Sequence, residues 1–121
     1  MKNLYEIVDI KNLLFVFDIE NTTDVERERL IVEKNVNDSQ QLAELFDIVL
    51  KPEFYEYTDA EQGSIIGTVD HFLKVDDTFD RVFNRMTTYF DDEVADRISF
   101  MRVLSECLKK YRNERLQLIN R

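Results

Sequence analysis

From Val94 to Tyr111, apolar residues fall at Val94, Ile98, Met101, Leu104, Leu108 and Tyr111, with Phe100, Val103 and Cys107 widening the stripe. Returns of three and four residues put these side chains on one side of a helix, broad enough to touch two neighbours. No Gly or Pro interrupts the chain from Asp91 to Arg121. The acidic start Asp91-Asp92-Glu93 and the later cluster Lys109, Lys110, Arg112 and Arg115 put each charge at the pole its helix dipole favours. A helix from about Asp92 to Asn120 is expected, roughly 40 Å long at ~1.5 Å per residue. It is the spine on which shorter helices pack.

Upstream, the same periodicity recurs in shorter pieces. Leu4, Ile7, Val8, Lys11, Leu14 and Phe15 fit one helical face, with Asn3 as a cap. The unbroken run Leu13 to Phe17 also fits a buried strand, so a short strand at about 12–19 is the alternative. Asp18 to Asp24 is a polar loop. Thr23 or Asp24 then starts a helix from Val25 to about Asn35, with Val25, Leu30, Ile31 and Val32 facing inward. Asp38 or Ser39 caps a helix carrying Leu42, Leu45, Phe46, Val49 and Leu50, and Pro52 is expected to stop it. Glu53 to Tyr57 then reads as an extended or irregular connector.

Thr58 or Asp59 caps the next helix, with Ile65, Ile66, Val69, Phe72 and Leu73 inward. Its Gly63 and Gly67 share a face and mark either the close approach of another helix or a locally weak one. Val75-Asp76-Asp77 breaks the chain. Phe79, Val82, Phe83, Met86, Tyr89 and Phe90 then give the clearest amphipathic pattern of all. The expected fold is all-α: one compact domain, 1–121, of five or six helices packed on the long C-terminal helix, and not a regular four-helix bundle.

Composition supports helices over sheets. Two Gly and one Pro in 121 residues, with no Asn-Gly or Asp-Gly, leave nothing to build tight hairpins. Hydrophobic residues at 44% are enough for one continuous core. Cys107 stands alone on an apolar face, where a thiol acts as a small hydrophobe. Neither a leader-like start nor an apolar run of membrane-spanning length occurs, so a cytoplasmic protein with no membrane partner is expected.

Charge changes the picture most. The net charge is −9, unevenly spread: residues 1–96 hold 23 Asp and Glu against 9 Lys and Arg, and residues 97–121 hold 2 against 7. An acidic body with one basic helix end argues against direct binding of nucleic acid, which needs a surplus of cations.

Catalytic signatures are missing. The one histidine, His71, excludes chemistry built on paired histidines, and no Glu stands three residues before it as a di-iron bundle requires. Phosphate-cradling glycine motifs do not occur. A calcium loop starting at Asp18 would need Gly and Glu where Thr23 and Arg29 stand; one starting at Asp24 meets Arg29 and Asn35. No catalytic residue, metal ligand or cofactor is assigned, and the chain does not read as an enzyme.

What remains is surface. Glu53-Phe54-Tyr55-Glu56-Tyr57, with Asp59 and Glu61, gathers aromatic anchors and carboxylates just past a helix stop. Asp70, Asp76, Asp77 and Asp80 extend the acidic stretch if the helices fold back. Aromatics anchor protein interfaces, and acids around them steer a basic partner. In size, acidity and lack of motifs the chain resembles bacterial immunity proteins, which neutralise cationic nuclease toxins. This is a likeness of type that transfers no residues. It implies an acidic protein-binding inhibitor, immunity- or antitoxin-like, that occludes the active site of a basic toxin or nuclease domain. The alternatives are a helical adaptor or regulatory subunit, in one version a homodimer joining basic end to acidic body, and a nucleic-acid-mimicking anti-defence protein.

Overall fold

The computed structural model describes residues 6–18, 25–84, 87–88, 90 and 93–119. Six helices lie among the described residues: α1 (Ile7–Leu14, continued by a 3₁₀ turn, Phe15–Phe17), α2 (Val25–Glu33), α3 (39–55), α4 (Asp59–Lys74), α5 (Asp80–Phe83) and α6 (Arg97–Ile119). The protein is all-α and no described residue belongs to a strand. Residues 12–17 are helical, and beyond them only Asp18 makes an isolated bridge, to Thr88. The long C-terminal helix packs along α3 and α4, and α1 lies against α4 and α5.

α6 starts at Arg97, later than the expected Asp92. Asp96 caps it, its carboxylate accepting from the Ser99 N–H at 3.0 Å. The Asn37 side chain pins the preceding strip, donating to the Glu93 carbonyl and accepting from the Ala95 N–H, each at 2.9 Å. Residues 93–96 are non-helical, and the Asn37 contacts hold that strip ahead of Arg97. Phe100, Met101, Leu104, Cys107, Leu108 and Tyr111 are all buried along its inner face. Phe17, Phe46, Phe83, Phe90 and Phe100 meet at one end of the core, with neighbouring ring centroids 5.2–6.0 Å apart.

α3 departs most from expectation. Pro52 does not stop it, and Glu53 to Tyr55 are helical rather than extended. The helix runs α (Ser39–Leu45), then π (Phe46–Leu50), then α again (Lys51–Tyr55). Its buried residues Leu42, Phe46, Leu50 and Phe54 return every four positions. In an uninterrupted α-helix that series would drift by about 40° at each step, because ~3.6 residues make a turn. The wider π turn takes up the drift and keeps all four on the core. Pro52 falls in the first turn after it, where a missing N–H is tolerated as at a helix start.

Two further expectations change. On α2 only Ile31 is buried; Leu30 is half-buried, while Val25 (76% exposed) and Val32 (45%) face outward. Arg27 pairs with Glu53 (3.8 Å) and Lys34, just past α2, with Glu44 (3.0 Å), tying this segment to α3. Among the described residues, the amphipathic stretch from Phe79 is helical only over Asp80–Phe83. Thr87 and Thr88 are non-helical, and Arg97 holds Asp80 (2.7 Å) and Asn84 (3.0 Å) against the start of α6. Met86 and Tyr89, with the proposed caps Asn3, Thr23 and Asp24, lie outside the described residues.

Candidate functional site

The α3–α4 junction is built by a capping box on Thr58, one of the two caps expected there. Thr58 Oγ1 accepts from the Glu61 N–H, and Glu61 Oε1 accepts from the Thr58 N–H at 2.9 Å. Those bonds hold the Glu61 carboxyl below its ordinary range. Behind the turn lies Gln62, fully buried, whose amide donates to the carbonyls of Phe54 and Tyr57, each at 3.1 Å. Arg115 reaches across from α6 to the carbonyls of Tyr55 (3.3 Å) and Tyr57 (3.0 Å). The turn is thus braced from two sides, and Tyr57 is delivered outward.

Where the turn meets α1, Asp9, Asn12, Tyr57, Glu61, Ser64 and Ile65 line a notch of about 210 Å³. Asp9 and Asn12 lie three apart on α1, and Glu61 and Ser64 lie three apart on α4, so each pair shares one side of its helix. Neither the Asp9 carboxylate nor the Tyr57 hydroxyl has a partner among the described residues. Burial first, then the charges of Glu53, Glu61 and Asp9, push the Tyr57 hydroxyl above its usual range. Among the described residues, no cation pairs with the Asp9 or Glu61 carboxylate, so the site is a polar socket of net negative charge.

The other acids named from the sequence are dispersed. Of the eight candidate carboxylates, five pair with a cation: Glu53 with Arg27, Asp59 with Arg112, Asp70 with Lys109, Asp77 with Arg81 and Asp80 with Arg97. Those pairs spread from α3 to α5, so among the described residues no continuous acidic face joins 53–61 to 70–80. Asp70 also accepts from Ser105 Oγ at 2.5 Å, and Asp77 from the Phe79 N–H at 2.7 Å, where Phe79 takes a left-handed φ of 60°. Asp76 and Glu56 are exposed without an ion pair among the described residues.

The aromatics divide too. Phe54 is fully buried and belongs to the core, which removes it from any partner surface. Tyr55 is half-buried and donates to the Tyr111 carbonyl at 3.0 Å, leaving Tyr57 as the one aromatic of the three that faces the notch. Three of the four basic residues of the α6 cluster are engaged within the chain, Lys109 and Arg112 on α4 and Arg115 on the turn, while Lys110 is exposed. Gly63 is where the Arg112 guanidinium passes, so the close approach there is by a side chain and not by a helix backbone.

Asp9, Asn12 and Ser64 were not anticipated. Their signal is present, as polar positions opposite the apolar stripes of α1 and α4, but nothing in one sequence says that the two faces meet. Among the described residues no three His, Cys, Asp or Glu side chains gather as a metal site, and no helix is long and apolar enough to cross a membrane.

The fold and notch define an all-helical chain with an acidic socket at one helix junction. No family model, curated protein or solved structure matches it.

Proposed function

We propose that this chain is an acidic protein-binding inhibitor that engages a basic partner through the α1–α4 notch and the acids around it. The immunity- or antitoxin-like form of this reading has it cover the phosphate-binding cleft of a nuclease-type toxin. The observation that carries the proposal is the notch, where Asp9 and Glu61 carry negative charge with no cation paired to them among the described residues, while five of the eight acids first considered are paired in place. Glu6 and Glu56, both exposed, flank it in sequence and add to the field. Uncompensated charge of this kind accelerates encounter with a cationic surface.

The homodimer alternative has fewer cations to offer, because Lys109, Arg112 and Arg115 are engaged within their own chain while Lys110 is exposed. An adaptor role draws on α2, whose exposed Val25 and Val32 lie seven apart on one side of the helix.

The test begins with a low-salt pull-down, followed by stopped-flow association with the captured protein over a range of ionic strength. A partner of pI above about 9 whose association rate falls steeply with salt, and whose nuclease activity is blocked at one-to-one stoichiometry, is expected. Association indifferent to salt, or a neutral or acidic partner, overturns the reading. A captured nucleic-acid-binding defence protein without toxin activity would favour the mimic.

A further inference from the structure

The notch is narrower in chemistry than a general acidic surface. Its acceptors come from three directions: Asp9 from α1, Glu61 from α4 and the Tyr57 hydroxyl from the turn between α3 and α4. Asn12 and Ser64 add neutral polar atoms, and Ile65 supplies an apolar wall. About 210 Å³ is room for one long side chain and not for a helix or strand. The turn that carries Tyr57 is preorganised, because buried Gln62 and the Arg115 guanidinium hold the Tyr57 carbonyl from behind. A site braced in this way loses little entropy when a ligand arrives.

We propose that the notch is a socket for a single lysine side chain of the basic partner, the ammonium sitting among Asp9, Glu61 and Tyr57 and the methylenes against Ile65. Lysine suits it better than arginine. Guanidinium binds best as a fork, with two parallel N–H bonds to one carboxylate. Glu61 cannot answer that fork, since its Oε1 is already committed to the Thr58 N–H, so a guanidinium could fork only on Asp9 and would turn away from the acceptors on the other two elements. An ammonium offers three divergent donors and matches separate acceptors on separate elements. The proposal rests on the basic-partner reading and sharpens it to one residue type.

The experiment is an amide-shift NMR titration of the intact chain at low ionic strength with three capped tripeptides, Gly-Lys-Gly, Gly-Arg-Gly and Gly-norleucine-Gly. Lysine is expected to move the Asp9, Asn12, Tyr57 and Ser64 amides on one saturable curve, with arginine weaker and norleucine silent. Asp9→Asn and Glu61→Gln should each weaken lysine binding by about fivefold, the size of one partly screened ion pair. Gln at position 61 can still serve the capping box, so the second variant keeps the turn folded. Shifts spread over Asp76, Glu93 and Glu106 without saturation would mean diffuse counterion binding and end the proposal, as would arginine binding equal to or tighter than lysine. A captured basic protein whose affinity ignores both variants would sink the socket while leaving the broader inhibitor reading standing.

Discussion

Replacing Gln62 tests how the α3–α4 turn is braced. Its side chain is fully buried, its amide nitrogen serves two carbonyls, and its Oε1 has no partner. In Gln62→Leu, two hydrogen bonds of about 1 kcal/mol each are lost. Neither carbonyl is orphaned, because the Phe54 oxygen keeps the Tyr57 N–H at 3.2 Å and the Tyr57 oxygen keeps Arg115. Removing the unpartnered Oε1 returns about 1–3 kcal/mol of desolvation cost. The terms nearly cancel, so the Leu variant should lie within about 1 kcal/mol of the parent.

Gln62→Glu is the opposite case. A carboxylate there would face two carbonyl oxygens with no water, costing about 3 kcal/mol or more at pH 7. Burial would raise its folded-state pKa above the ordinary value of about 4.3. The sign follows: the protonated acid can donate to a carbonyl, so stability is retained below that ordinary value and lost as pH rises through the raised one. Urea unfolding followed by circular dichroism at pH 4.5 and pH 7 reads both variants. A Glu variant as stable as the parent at pH 7, with an unchanged m-value, would refute the reasoning by showing that position 62 reaches water.

Alkaline stability should depend on Tyr111, whose hydroxyl donates to Asp47 at 2.5 Å and is pushed far up by burial and then by that bond, and on Lys51, raised chiefly by its bond to Glu114. Both keep their protons longer in the folded state, so their contribution is full below pH about 10 and fades above it. Tyr111→Phe should cost about 1.5 kcal/mol at pH 7, the low end for a charge-assisted bond because water can reach the exposed Asp47. It should also reduce the loss of stability between pH 9 and 11 without abolishing it, since burial raises Tyr55 and Tyr57 too; an unchanged pH slope in denaturant titrations would count against this. At Gly63 an added Cβ would lie 3.3 Å from Arg112 Nη2, the end of a side chain that can shift, so Gly63→Ala should gain up to about 1 kcal/mol of helix stability. A lowered urea midpoint would instead show that the Arg112–Asp59 pair is held rigidly.

The helices, their caps at Asp38 and Thr58, and the inner face of α6 were legible because each is written within a few residues. What escaped depends on neighbours distant in the chain. Asn37 clamps residues 56 and 58 positions away, and no local pattern announces that hold on the strip ahead of Arg97. Arg97 ties down Asp80 and Asn84, which the amphipathic spacing from Phe79 could not foresee. The candidate acids read as one patch because sequence distance hides their cations: Arg112 lies 53 residues from Asp59. The notch combines α1 with α4, so half of it was invisible to a reading that took each helix alone.

The wide turn in α3 also means that this helix carries one residue more than its shape requires. Excise Ile48, 47% exposed, and the apolar positions 42, 46, 49 and 53 of the shortened chain fall close to ordinary helical spacing. Both flanks would keep their bearing on the core, and Asp47 would still stand opposite Tyr111. The helix has a built-in place where its length can change by one without re-aiming the junction that follows.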